Sequence, residues 1–409
     1  LRKLKSTKQE FGFLKFGFVG PVQADDLRRM CCRNMQQRKM NDLQALHYFL
    51  HAWLGTFNYN RLIFAVQLLG DNSMKKSFLA LAVLGAFAGV ANAQTNVTIY
   101  GIVDAGLARE TGAATGSAVK LATGVQSGNR LGFKGSEDLG GGLKANFQLE
   151  NGFNLDDGAG RQGALFGRQA WVGLSGNFGA VSMGRQYSLV FLALDNVDPF
   201  DYGLTGAISN LVVNAPFRIN NSVKYSSPSM GGFTAEALYG LGEVAGNNSA
   251  NRQYELSAKY ANGPVLVQLA HTNGQNPTAT NALKVTALVG AYDFGVAKAA
   301  FSYNVNKNDT TIDSNDAMVG VTVPFGASTI LASYIRKNDK TAANADANQA
   351  AIGYTYALSK RTNLYTSYSR ISNKNGAAYT VGDASGGGSA NQVAGATSTG
   401  FAVGVRHKF

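Results

Sequence analysis

The chain is poor in the residues that most chemistry needs. Its two cysteines, Cys31 and Cys32, are adjacent and far from the bulk of the sequence. With no second pair at zinc spacing they do not make a zinc module, and residues 94–409, which have no cysteine at all, cannot form a disulfide scaffold. Histidine is nearly as scarce there: only His271 and His407 are present. A Ser-His-acid hydrolase would need one of them, and both lie near strand ends, where a satisfied or interfacial histidine is the simpler account. Long apolar runs are also missing. A membrane helix needs roughly 20 apolar residues, and no stretch after 94 supplies them. Glycines 140 to 142 precede no helix, so they make a turn and not a phosphate loop. Neither an enzyme nor a bound cofactor or metal is expected.

One short apolar run carries a clear meaning. MKKSFLALAVLGAFAGVANA at 74–93 has Lys75 and Lys76 as a basic start, an apolar stretch from Phe78 to Val90 and Ala91-Asn92-Ala93 as a small-x-small cleavage site. It reads as a secretory signal peptide, so the chain from Gln94 onward reads as exported. Residues 1–73 have no sustained period and read as an upstream extension that is not part of the native protein. This division also disposes of the basic balance. Residues 1–93 carry 13 of the 37 Lys and Arg but 5 of the 25 Asp and Glu, a formal +8, and residues 94–409 keep +4 of the total +12. The high pI is therefore no argument for nucleic-acid binding.

What is abundant after residue 94 is alternation. Leu143, Ala145, Phe147 and Leu149 interleave with Lys144, Asn146, Gln148 and Glu150. Phe401, Val403, Val405 and Phe409 oppose Gly400, Ala402, Gly404, Arg406 and Lys408. Period two in segments of about ten residues predicts strands, and sixteen such segments can be placed between 96 and 409. Their connections alternate between tight turns and long polar loops, among them 109–128, 188–217, 241–252 and 372–397. An even strand number with segregated loops fits an antiparallel transmembrane β-barrel, closed because lipid cannot satisfy a sheet edge. Tyr100, Trp171, Tyr225, Tyr239, Tyr260, Phe294, Phe325 and Tyr354 near strand ends suggest an aromatic girdle.

Sixteen strands enclose a lumen too wide for side chains to fill. The 188–217 loop, with Asp195, Asp198 and Asp201 around Pro199 and Phe200, is a candidate constriction, or else a solvated loop or weak calcium site. Arginine on a lipid face costs about 2 to 4 kcal/mol at the midplane, which argues that Arg130 and Arg168 point inward or lie near a headgroup. Lys134 shares the Arg130 face, and Arg218 opens the strand after the loop. Arg185 keeps the parity of apolar Val181 and Met183, which a subunit contact would explain. Basic groups facing aspartates across a lumen would set up a transverse field.

VTIYGIVDAGL at 97–107, RLGFKGSEDLGGGLKANFQLE at 130–150, LFGRQAWVGLSGNFGAVSMGRQY at 165–187, RINNSVKYSSPSMGGF at 218–233 and the terminal Phe409 resemble the general-diffusion porins of Gram-negative outer membranes, in particular the β-proteobacterial branch. The resemblance implies an all-β, 16-stranded barrel whose third loop folds inward, assembled as a homotrimer among outer-membrane lipid and lipopolysaccharide. By position, Arg130, Arg168, Arg185 and Arg218 match the basic side of the family's constriction, and Asp195, Asp198 and Asp201 its acidic loop. The loop reads DNVDPFDYG where enterobacterial members have PEFGG. Phe409 looks like the signal read by the barrel assembly machinery. Passive diffusion of small hydrophilic solutes and ions, with a modest anion preference, is the expected function. A substrate-specific channel and a surface-interaction barrel are the alternatives.

Overall fold

The computed structural model describes residues 96–212, 215–382 and 392–409. The expected upstream extension and signal peptide lie outside the described residues, as does part of the expected loop 372–397. Strands run β1 (Asn96–Ala113), β2 (Gly116–Thr123), β3 (Arg130–Gly140), β4 (Leu143–Gly152), β5 (Gln169–Gly176), β6 (Gly179–Tyr187), β7 (Arg218–Ser226), β8 (Phe233–Gly240) and β9 (Gln253–Asn262). They continue as β10 (Val265–Gln275), β11 (Ala282–Asp293), β12 (Lys298–Lys307), β13 (Asp313–Phe325), β14 (Ser328–Asp339), β15 (Ala347–Ala357), β16 (Thr362–Asn373) and β17 (Ser398–Lys408).

All neighbours are antiparallel, and β1 pairs with β17 from Ile102↔Lys408 to Thr111↔Thr399, which closes the sheet into a barrel. The 17 segments fill sixteen positions, because β2 and β3 share one: β1 pairs with β3 over Asn96–Ile102 and with β2 from Ala105 to Ala113. This corrects the expected loop at 109–128. Its residues continue the first two strands, and only 124–129 leaves the ladder. The sequence there is dominated by Gly, Ala and Thr, which offer too little apolar contrast to reveal a strand, although Val119 and Leu121 do face outward.

Alternation sorts the wall into two faces. Val172 and Met183 are 61% and 55% exposed on the outside, whereas Ser182, Gln268 and Gln349 are buried on the inside. An apolar exterior and polar interior is the arrangement that lipid outside and water inside demand. One rim carries tight turns, among them Gly140 to Gly142, all with positive φ that only glycine adopts without strain. The other rim carries the longer loops.

The 188–217 segment turns into the barrel. It opens with a short helix, α1 (Leu189–Asp195), whose first turn is capped by Ser188 Oγ accepting from Phe191 N–H. Glu255 of β9 secures this entry from the wall: it accepts from Ser188 Oγ at 2.9 Å and from Leu189 N–H. Val190, Ala193, Leu194, Ile208 and Leu211 then pack on Ala270, Val285, Ala287, Val289, Ile335 and Ile371 of the inner wall, so one side of the lumen is filled. Polar ties complete the docking: Asn196 Nδ2 to Gln268 Oε1 at 2.9 Å, Asn210 Nδ2 to Gln349 Oε1 at 2.8 Å and Thr205 Oγ1 to Ser367 Oγ at 3.0 Å.

Candidate functional site: the charged aperture

The space left beside the folded-in loop is bordered by charge. On β3, Arg130 donates from Nε to Gly128 O at 3.0 Å, and its Nη1 lies 3.9 Å from Glu150 Oε1. Arg168 precedes β5, so strand parity does not bind it. Its Nε donates to Glu150 Oε1 at 2.7 Å and its Nη2 to Tyr187 OH at 2.9 Å. Arg218 opens β7, donates from Nε to Arg168 O at 2.8 Å, reaches the same Tyr187 hydroxyl at 3.1 Å and stacks over that ring at 4.7 Å. Three arginines thus converge on one tyrosine and one carboxylate. Tyr100 donates to the other oxygen of Glu150 at 2.7 Å.

Two basic residues of the expected set sit elsewhere. Arg185 pairs with Ala170, and its neighbours in register, Val172 and Met183, face out, so the register sets it on the outer wall and not in the lumen. A β-bulge at Gly184/Gln186 accompanies it, and its guanidinium donates to Gly167 O at 2.7 Å and to Asn220 Oδ1. Lys134 faces the lumen but lies two residues closer to the tight-turn rim than the row of Glu150, over the Tyr100 ring at 5.3 Å.

The aspartates also divide. Asp198 is turned into the loop: it accepts from the N–H groups of Phe200, Tyr202 and Ile208, each at 3.0 Å, and is 5% exposed. Its carboxylate is spent on organising the loop. Burial pushes its carboxyl up to about 7, against the pull of those three N–H donors. Asp195 and Asp201 do line the aperture, along a space of about 290 Å³ shared with Gln126, Lys298, Thr322 and Thr355. Burial raises Asp195 to about 6; Asp201 adds to this and Arg130 opposes it. Asp201 is raised by burial and opposed by Arg406, Lys408 and Lys298.

Those last three cations, with Glu150 and Tyr187, are aperture residues that the sequence did not single out. Arg406 Nε donates to Asn363 Oδ1 at 3.0 Å and its Nη1 to Ser127 Oγ at 2.8 Å; Lys298 Nζ donates to Asn196 O at 3.1 Å. The alternation of the last strand already put Arg406 and Lys408 on its polar face. Segment 124–129 is a second inward fold. Val125 O accepts from Leu204 N–H at 2.6 Å, and Asp104 Oδ2 accepts from Gln126 and Ser127 N–H. Two expected girdle aromatics, Tyr100 and Trp171, likewise face inward, because each pairs within the polar row of β3 and β4. Tyr225, Tyr239, Phe294, Phe325 and Tyr354 are exposed on the barrel.

A closed barrel that is apolar outside and polar inside, narrowed by an inward loop to a charged aperture, defines a membrane channel. The profile of the Gram-negative porin family matches residues 80–376. The chain belongs to the Gram-negative porins: a non-enzymatic channel of the outer membrane. It is 34% identical over 403 aligned residues to an outer membrane porin protein of Bordetella pertussis, with 82% of this chain covering all of that one. Among solved structures, an anion-selective porin from Comamonas acidovorans matches with a TM-score of 0.71 at 33% identity, over 77% of this chain and 100% of that chain. The trimer form of OmpT of Vibrio cholerae, 18% identical, shares the fold with a TM-score of 0.58 over 77% and 99% of the two chains.

Proposed function

We propose that the channel passes small hydrophilic solutes and ions by diffusion, with a modest preference for anions set at the aperture. The arc of Arg130, Arg168 and Arg218, continued by Arg406 and Lys408, supports this reading. Arg130 acts on Asp195, and Arg406, Lys408 and Lys298 act on Asp201, while Glu150 answers only part of the arc. Arginine stays charged at every working pH, and in a narrow, poorly screened passage such charges concentrate counter-ions. The neighbour from Comamonas acidovorans is described as anion-selective, which agrees in sign. A homotrimer among outer-membrane lipid is part of the same proposal, supported by the apolar outer wall and by the trimer form of the Vibrio protein. So are an exported chain that begins at Gln94 and Phe409 as the assembly signal; mass spectrometry of the protein from outer membranes tests the first, a different N-terminus removing it.

Reversal potentials across a planar bilayer in a KCl gradient test the selectivity. Chloride should be the more permeant ion, and replacing Arg130 and Arg168 together with serine should move the potential towards cations. Equal or cation-biased permeability of the parent channel would remove the anion claim.

A further inference from the structure

Below the arginine cluster the inner wall carries a half-buried aromatic ring. Trp171 is the one tryptophan of residues 94–409. Its register partners are Gln148 on β4 and Gly184 on β6, while its neighbour Val172 faces out. In barrels of this kind indole rings ordinarily sit outside, at the membrane interface. This one borders water, where apolar surface is unfavourable. Its Nε1–H donates to Gln169 Oε1 at 3.0 Å, which fixes the ring's orientation. Beside it the wall is bare, since Gly184 is its lateral neighbour and Gly173 follows on its own face.

Two lysines flank this bare patch. Lys134 stands in the same row, beyond Gln148, and Lys224 pairs with Ser182 one row nearer the tight turns. No described carboxylate lies within ion-pair distance of either. The ring and both lysines line one cavity of about 540 Å³, whose lining contains no Asp or Glu. The size suits a small organic ligand. Two ammonium groups with no Asp or Glu in the lining favour an anion over a neutral ligand. A planar ring bearing one negative group matches the indole face and the positive charge of the patch.

We propose that Trp171, Lys134 and Lys224 form a subsite for aromatic carboxylates on the lumen wall, between the aperture and the tight-turn rim. The ring stacks on the indole, and the carboxylate faces the positive field of the flanking lysines. Such a subsite holds an aromatic acid that has passed the arginines and raises its residence in the channel. The proposal rests on the reading of the chain as an open, anion-favouring pore.

Current block in planar bilayers tests it, using the full-length protein in KCl with benzoate as the probe and acetate and cyclohexanecarboxylate as controls. Benzoate should block saturably and at lower concentration than either control. Trp171→Ala should raise the half-blocking concentration about tenfold, Trp171→Phe should retain most of the block, and the Lys134→Gln/Lys224→Gln pair should weaken it. Benzoate acting no better than cyclohexanecarboxylate on the parent channel, or equally on the parent and Trp171→Ala, would overturn the subsite. The KCl conductance of each channel is read separately. A parent that does not conduct would defeat the pore reading itself, whereas a conducting channel without ring-selective block defeats only the subsite.

Discussion

Arg168 Nε and Glu150 Oε1 lie 2.7 Å apart on the lumen wall, so the most basic part of the aperture is organised around an acid. Glu150 also orients Tyr100 and lies within 3.9 Å of Arg130. Removing its charge with Glu150→Gln should make the channel more anion-selective. At 8 Å in a water-like medium one charge is worth about 0.5 kcal/mol, which corresponds to a roughly twofold rise in the chloride-to-potassium permeability ratio. The reversal potential reads this directly, provided the mobility of unheated protein on gels confirms an intact barrel. An unchanged ratio would mean that the permeating ions do not sense Glu150.

Asp198 should make the docking of the 188–217 loop depend on pH. Its carboxyl is raised from 3.8 to about 7 by burial in the packed loop, so packing favours the protonated form. The contribution is fully present below about pH 4 and is lost as pH rises to about 7, with little change beyond. Asp195, raised to about 6, acts in the same direction. Hydrogen exchange of the Phe200, Tyr202 and Ile208 amides should therefore become faster between pH 4 and 7 than intrinsic chemistry requires. In Asp198→Asn the excess should shrink; its persistence would remove Asp198 as the cause.

Arg406 and Lys408 form a separate part of the arc. Neutralising both to glutamine should shift the reversal potential towards cations, with a larger effect at 0.01 M salt, where the Debye length is about 30 Å, than at 1 M, where it is about 3 Å. A shift of equal size at both concentrations would argue for a change in aperture shape and against a change in field.

Glu255 ties the start of the loop to β9 through Ser188 and Leu189. Glu255→Ala leaves a buried N–H without its acceptor, a loss of about 1 to 3 kcal/mol. Single-channel records should show a noisier and larger conductance as the loop undocks, while the barrel remains folded. A quiet trace of parental size would show that the apolar contacts of α1 suffice.

The barrel was legible from the sequence wherever apolar and polar residues alternate strongly, as at 143–150 and 398–408. It was illegible at 116–123, where Gly, Ala and Thr blur the two faces. The site was readable as a set of residue types, not as a set of directions. Arg168 lies before its strand and turns in, while Arg185 keeps the parity of Met183 and stays out. Asp198 could not be told from Asp195 by spacing, because the difference lies in three backbone donors that exist only once the loop is folded. Glu150 was visible as one polar residue among four on its strand. What distinguishes it is convergence of Tyr100, Arg130 and Arg168 from three other segments.

The 188–217 loop also dictates when the aperture can come into being. Its anchors are Gln268, Gln349, Ser367 and the 124–129 fold, and Ser367 is 162 residues from its partner Thr205. The anchors Gln349 and Ser367 do not exist until β15 and β16 have taken their places, so the loop is fully secured only late in assembly. A molecule arrested before then would have a wall whose filter is held only by its earlier anchors. Cells in which insertion stalls should accordingly leak solutes that the finished protein excludes.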